Sequence, residues 1–144
     1  MSKIKILSQP IDKEKTTITA PLFTEHVPAG FPSPANDYLE GNLDLNKYLI
    51  KHPVATYFVR VTGNSMIGAG IHSGELLIVD RSLEASNRKV VIAVVNGELT
   101  VKRLIKKNDK IILMPENDKY KPIEIKDEID LEIWGIVTSV IHIV

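Results

Sequence analysis

The segment from Lys89 to Lys106 constrains the fold more than any other part of the chain. Two runs rich in Val, Ile, Leu and Thr, Lys89 to Asn96 and Glu98 to Lys106, meet at Asn96-Gly97. A two-residue hairpin of the type that matches strand twist needs positive φ at both central positions, which Asn and Gly supply at least cost. The segment is therefore read as an antiparallel hairpin, and the chain as one that must build a sheet around it. Runs of similar composition at Thr56 to Thr62, Leu76 to Asp80, Lys110 to Met114 and Asp130 to Val144 are separated by turn residues and extend it to an all-β core of about six or seven strands.

The first 40 residues read differently. Pro10, Pro21, Pro28, Pro32 and Pro34 fall there, with little sustained periodicity. Such a segment favours extended, weakly paired backbone, and it is read as an arm. Between the arm and the strands, Asp37 to Ile50 carries Leu39, Leu43, Leu45, Leu49 and Ile50 among polar residues, with Asp44 as a candidate N-cap and Pro53 as a stop. One or two short helical turns are expected.

At 144 residues, 44% apolar and 25% charged, the chain suits one domain with a real core. Eighteen Lys and Arg balance eighteen Asp and Glu, so the basic excess used for sequence-independent phosphate binding is missing. Direct nucleic-acid binding is not expected. The chain has no cysteine, which excludes disulfides, thiolate nucleophiles and Cys-ligated zinc and suits a reducing, cytoplasmic setting. No window approaches the roughly 20 apolar residues of a membrane span, and no signal peptide is read at the start.

Two residues carry candidate chemistry. Ser65 lies in Thr62-Gly-Asn-Ser-Met-Ile-Gly68, after a predicted strand and between two glycines that permit a sharp turn and close approach of another chain. Lys102 lies in Leu99-Thr-Val-Lys-Arg-Leu-Ile105, where alternation puts Thr100, Lys102 and Leu104 on one face and Val101, Arg103 and Ile105 on the other. One of two adjacent cations must point where apolar neighbours point. A free lysine, with a pKa near ~10.4, is almost wholly protonated at neutral pH and cannot take a proton from serine. Lowering that pKa by about three units, roughly 4 kcal/mol, is what apolar burial without a carboxylate partner does. Taken singly, Ser65 is equally a polar turn residue and Lys102 a gatekeeper on a strand; the remaining cations of the cluster, Arg103, Lys106, Lys107 and Lys110, are read as solvated.

His26, His52, His72 and His142 lack the short spacings of metal-binding pairs and are read as structural or solvent-facing, with no metal or cofactor implied. Glu75 and Asp80, five residues apart around a strand, would not share a face and are read as turn or hydrogen-bonding residues.

Four blocks in one order, Ala29-Gly30, Gly63-Asn-Ser-Met66, Gly74-Glu-Leu-Leu-Ile-Val-Asp80 and Asn96-Gly-Glu-Leu-Thr-Val-Lys-Arg103, resemble the LexA-like self-cleaving serine peptidases. Pro28 to Tyr38 and Leu43 to Phe58 look like the UmuD-like branch, accessory subunits of error-prone DNA polymerases. The likeness covers about residues 22 to 144. It implies a coiled β-sheet fold of the LexA and signal-peptidase kind, a dyad of Ser65 and Lys102, and cleavage between Ala29 and Gly30. It also implies stimulation by RecA filaments on single-stranded DNA, a homodimer, a UmuC-like polymerase catalytic subunit as partner, and a role in the SOS response. On this reading residues 1–29 are an arm removed by self-cleavage, 30–40 an extended linker and 41–144 the β-rich peptidase and dimerisation domain. The arm is too short for a repressor's DNA-binding domain. Backbone N–H groups of Ser65 and Met66 are the expected oxyanion donors. Two other functions fit the same blocks: a β-rich dimeric binding module without chemistry, and a signal-peptidase-like enzyme, against which the missing membrane anchor speaks.

Overall fold

The computed structural model describes residues 3–6, 17–23, 27, 29–31 and 39–144. The chain divides into two compact units, Met1–Asp12 with His52–Val144, and Lys13–Lys51.

The larger unit is one eight-stranded antiparallel sheet. Its strands are β1 (Lys3–Ile6), β4 (Thr56–Thr62), β5 (Leu76–Asp80), β6 (Val90–Val95), β7 (Glu98–Lys107), β8 (Lys110–Met114), β9 (Ile123–Ile125) and β10 (Leu131–Ile141), in the order β1-β4-β5-β10-β6-β7-β8-β9. The β6–β7 hairpin turns at Asn96 and Gly97 with φ of 48° and 82°, the double positive-φ turn that this dipeptide predicts. A second turn of the same sign joins β7 to β8 at Asn108 and Asp109, φ 50° and 63°.

Strand β10 holds the sheet together. Its first half pairs with β6 and its second half with β5, with register breaks between Ile133 and Gly135 and between Val137 and Ser139. Such breaks bend a strand and increase its twist. They accompany a division of the core in two. One cluster gathers Val59, Val61, Met66, Ile71, Leu77, Val79, Ile92 and Val101; the other gathers Val91, Ala93, Leu104, Leu113 and Ile136. Adjacent residues of β6 and β7 thus serve opposite faces, as period-2 alternation requires.

The smaller unit holds a two-stranded ladder of β2 (Ala20–Phe23) and β3 (Leu39–Leu43), followed by α1 (Leu45–Leu49). Asp44 caps α1, its Oδ1 accepting from the Asn46 N–H at 3.0 Å and the Lys47 N–H at 3.3 Å, as its sequence position predicts. Pro53 opens a 3-10 turn, Pro53–Ala55.

The all-β expectation holds, and the six long strands lie where the sequence places them. The weakly paired arm carries two short strands that were not expected, β1 and β2, and β3 occupies part of the stretch read as helical turns. β1 reaches its partner β4 through pairs such as Lys3↔Thr62, and a four-residue strand whose partner is so distant leaves no local periodicity. β2 is exposed along its length, so it has no apolar alternation to read. Among the described residues no helix is long and apolar enough to cross a membrane.

Candidate functional site

Ser65 sits in the loop between β4 and β5, and three features fix it there. Gly63 takes φ 97°, turning the chain at the end of β4 in a conformation that a side chain would resist. Met66 is buried in the first core cluster with Ile92 of β6 and Val101 of β7, which draws the loop onto the hairpin. The loop is then pinned to the segment after β8: the Glu116 N–H donates to the Ser65 carbonyl at 2.8 Å and the Gly68 N–H to the Glu116 carbonyl at 2.8 Å. A Cβ at Gly68 would lie 2.7 Å from that carbonyl oxygen, so glycine is required for the Glu116 segment to approach this closely.

Lys102 stands in the middle of β7 opposite Val91 of β6. Thr100, Lys102 and Leu104 share a face, as the alternation predicts, and all three are buried. The Lys102 Nζ lies 3.2 Å from the Ser65 Oγ, 2.8 Å from the Thr100 Oγ1 and 3.0 Å from the Val101 carbonyl oxygen. Ser65 is 0% and Lys102 2% exposed. The ion pairs among the described residues do not include Lys102. Burial without a countercharge pushes its pKa down to about 8.

The three contacts can be made by Nζ in either protonation state. As an ammonium, Nζ donates three hydrogen bonds, one of them to Ser65. As a neutral amine it keeps two N–H donors, which Thr100 and Val101 accept, and its lone pair faces the serine hydroxyl. Thr100 thus holds the amine in place beside Ser65. Its position two residues before Lys102 on a strand puts it on the same face, which is the one signal of this contact in the sequence.

A match to the family model described as Peptidase S24-like extends over residues 21–138. The chain belongs to the peptidase S24 family. This is the LexA-like family of self-cleaving serine peptidases that the sequence blocks resemble. Its S24 relatives include Protein SamA of Salmonella typhimurium, 49% identical over 131 residues, covering 91% of each chain. Protein MucA of Escherichia coli is 45% identical over 119 residues, 82% of this chain and 81% of that one. The LexA repressor of Actinobacillus pleuropneumoniae is 42% identical over 136 residues, 92% of this chain and 64% of the repressor. The UmuD-like resemblance thus holds across the described S24 domain.

Ala29, Gly30 and Phe31 form an exposed bend in the smaller unit; Val27 is 90% and Phe31 93% exposed. Extended backbone was expected on either side of Ala29-Gly30; Pro28 and Pro32, on which that expectation rests, lie outside the described residues, as does His26.

Asp80 and Glu75 each bond a histidine and a backbone N–H. The Asp80 carboxylate accepts from the Ser82 N–H and Oγ–H and bonds the His52 Nδ1 at 2.6 Å. Burial alone would raise its pKa, but the Ser82 and His52 contacts outweigh it and leave it lowered. Glu75 accepts from the His72 N–H at 2.6 Å and bonds the His142 Nδ1. Burial raises its pKa too, and the His72 and His142 contacts again leave it lowered. Arg103 departs from the solvated reading: its Nε pairs with Glu116 at 2.5 Å and its guanidinium donates to the Arg88 carbonyl at 2.6 Å. Alternation turns it away from Lys102, towards the loop that backs the serine.

Proposed function

We propose that this S24 peptidase cleaves its own chain between Ala29 and Gly30, with Ser65 as nucleophile and Lys102 as general base. The observation that carries the reading is the 3.2 Å approach of the Lys102 Nζ to the Ser65 Oγ, both groups buried and the amine's pKa lowered by burial alone. With a pKa of about 8, on the order of a tenth of the amines are neutral at pH 7, against far below ~1% for a free lysine.

The reaction is acyl transfer. Neutral Lys102 takes the Ser65 hydroxyl proton as Oγ attacks the Ala29 carbonyl carbon. The Ala29–Gly30 C–N bond then breaks, and the Lys102 ammonium returns the proton to the leaving Gly30 amine. Water, deprotonated by Lys102, hydrolyses the ester between residue 29 and Ser65 and regenerates the hydroxyl. The Ser65 and Met66 N–H groups are the proposed donors to the oxyanion. The exposed bend at residues 29–31 suits a bond that must enter a site. The small Ala29 side chain and bare Gly30 suit a narrow one.

Products of residues 1–29 and 30–144 follow. Through its UmuD-like kinship, the processed chain is assigned as the homodimeric, cytoplasmic regulatory subunit of an error-prone translesion polymerase, partnered by a UmuC-like catalytic subunit. RecA filaments on single-stranded DNA stimulate its cleavage in the SOS response.

The test is mass spectrometry of the purified chain held at pH near 10, and separately with RecA filaments. Two fragments meeting at Ala29-Gly30 are expected, lost in Ser65→Ala and Lys102→Ala and retained in Lys107→Ala, whose side chain is exposed. An intact chain under both conditions contradicts the peptidase reading and leaves the binding-module function in its place.

A further inference from the structure

We propose that Asn117 is a positioning residue for the cleavage reaction, acting with the backbone of Glu116 to set the peptide planes whose N–H groups meet the oxyanion. The inference rests on the reading of Ser65 as nucleophile.

A trans peptide unit is planar, so its N–H points opposite to its C=O. Holding the Asn64 carbonyl therefore fixes the Ser65 N–H, and holding the Ser65 carbonyl fixes the Met66 N–H. Both carbonyls are held by the segment after β8. The Asn117 Nδ2 donates to the Asn64 carbonyl at 2.8 Å, and the Glu116 N–H donates to the Ser65 carbonyl at 2.8 Å. The next carbonyl, of Met66, accepts from the Ala69 and Ile71 N–H groups at 3.0 and 3.2 Å. Three successive peptide planes through the nucleophile are thus anchored from behind.

The anchor is itself built. The Asn117 Oδ1 accepts the Lys119 N–H at 3.0 Å, and the Tyr120 N–H reaches the Asn117 carbonyl at 3.0 Å. The side chain thereby folds its own turn and leaves its amide to face Asn64. Glu116 is tied by its carboxylate to Arg103 of β7 at 2.5 Å, the residue beside Lys102. One short segment therefore references both the serine loop and the lysine strand. Preorganised donors are among the larger contributors to acyl-transfer catalysis because they need no reorganisation when charge develops.

Asn117→Asp separates positioning from folding. The carboxylate still accepts the Lys119 N–H and keeps the turn, but it has no donor for the Asn64 carbonyl; Asn117→Ala loses both. Self-cleavage of the full chain is followed by mass spectrometry across pH, with thermal unfolding alongside. Loss of one oxyanion donor slows acyl transfer by ~100-fold or more, so mis-set donors are expected to lower the high-pH plateau roughly 10-fold or more in both variants. Asn117→Ala keeps the inflection of the profile unmoved, because Lys102 stays buried. A plateau in Asn117→Asp equal to the unsubstituted chain's overturns the inference while leaving the peptidase intact. A lowered plateau accompanied by a shifted inflection in Asn117→Ala also overturns it, since general loosening of the site produces that pattern. Failure of the unsubstituted chain to cleave at any pH and also with RecA filaments overturns the nucleophile reading, and the inference with it.

Discussion

At the scale of the residue, the proposed chemistry depends on a lysine that the fold buries. Desolvation lowers the Lys102 pKa from 10.5 to about 8, and the sign of the consequence follows. Between those values the unfolded chain holds the proton and the folded chain has released it, so stability rises with pH across the window and the burial penalty is fully present below it. In a Ser65→Ala background, which removes cleavage, the unfolding free energy from urea titrations should gain about 3 kcal/mol between pH 7 and pH 10.5 from this group. Lys102→Met in the same background should lack that gain, and equal pH slopes in the two chains would mean that Lys102 is not desolvated. Lys102 was legible because alternation forces one of two adjacent cations inward. The Thr100 contact was not legible, because a threonine on a strand is ordinary until its hydroxyl is seen 2.8 Å from the amine.

At the scale of the element, the site is a hairpin and two loops. The hairpin was legible because Asn96-Gly97 is a local signal, and a local signal needs only neighbouring residues to be read. The loop partners were not, because Asn64 and Asn117 are 53 residues apart in the chain and nothing near either predicts the other. The same reason hid β1 and β9, short strands whose pairing is set by the sheet rather than by their own composition. The contact at Gly68 turns this into a prediction. Its missing Cβ leaves room for the Glu116 carbonyl, so Gly68→Ala must push the segment after β8 away from the serine loop. Overpacking of this kind costs about 1–3 kcal/mol. The variant should unfold at lower temperature and cleave more slowly, read by calorimetry and by fragment yield. Unchanged values in both would show that the two loops are not coupled through this contact.

At the scale of the whole molecule, the bent strand β10 links the two core clusters. Met66 of the serine loop packs in one of them beside Ile92 and Val101, and the lysine face of β7 belongs with the other through Leu104. Ser65, in the loop after β4, and Lys102, on β7, thus meet although β4 and β7 are not neighbours in the sheet. The sequence blocks announced both residues and their order, but not the bend that joins them, since register breaks in β10 depend on pairing with β5 and β6 at once. The proposed function has the intact chain run its own cleavage on a lysine made neutral by burial. The measurement that tests it most directly is the first-order rate of self-cleavage of the full chain as a function of pH. The rate should rise with pH, inflect near the lowered Lys102 pKa of about 8 and then level. A rate that does not depend on pH, or one that keeps climbing to the ~10.4 of a free lysine before it turns, would contradict it.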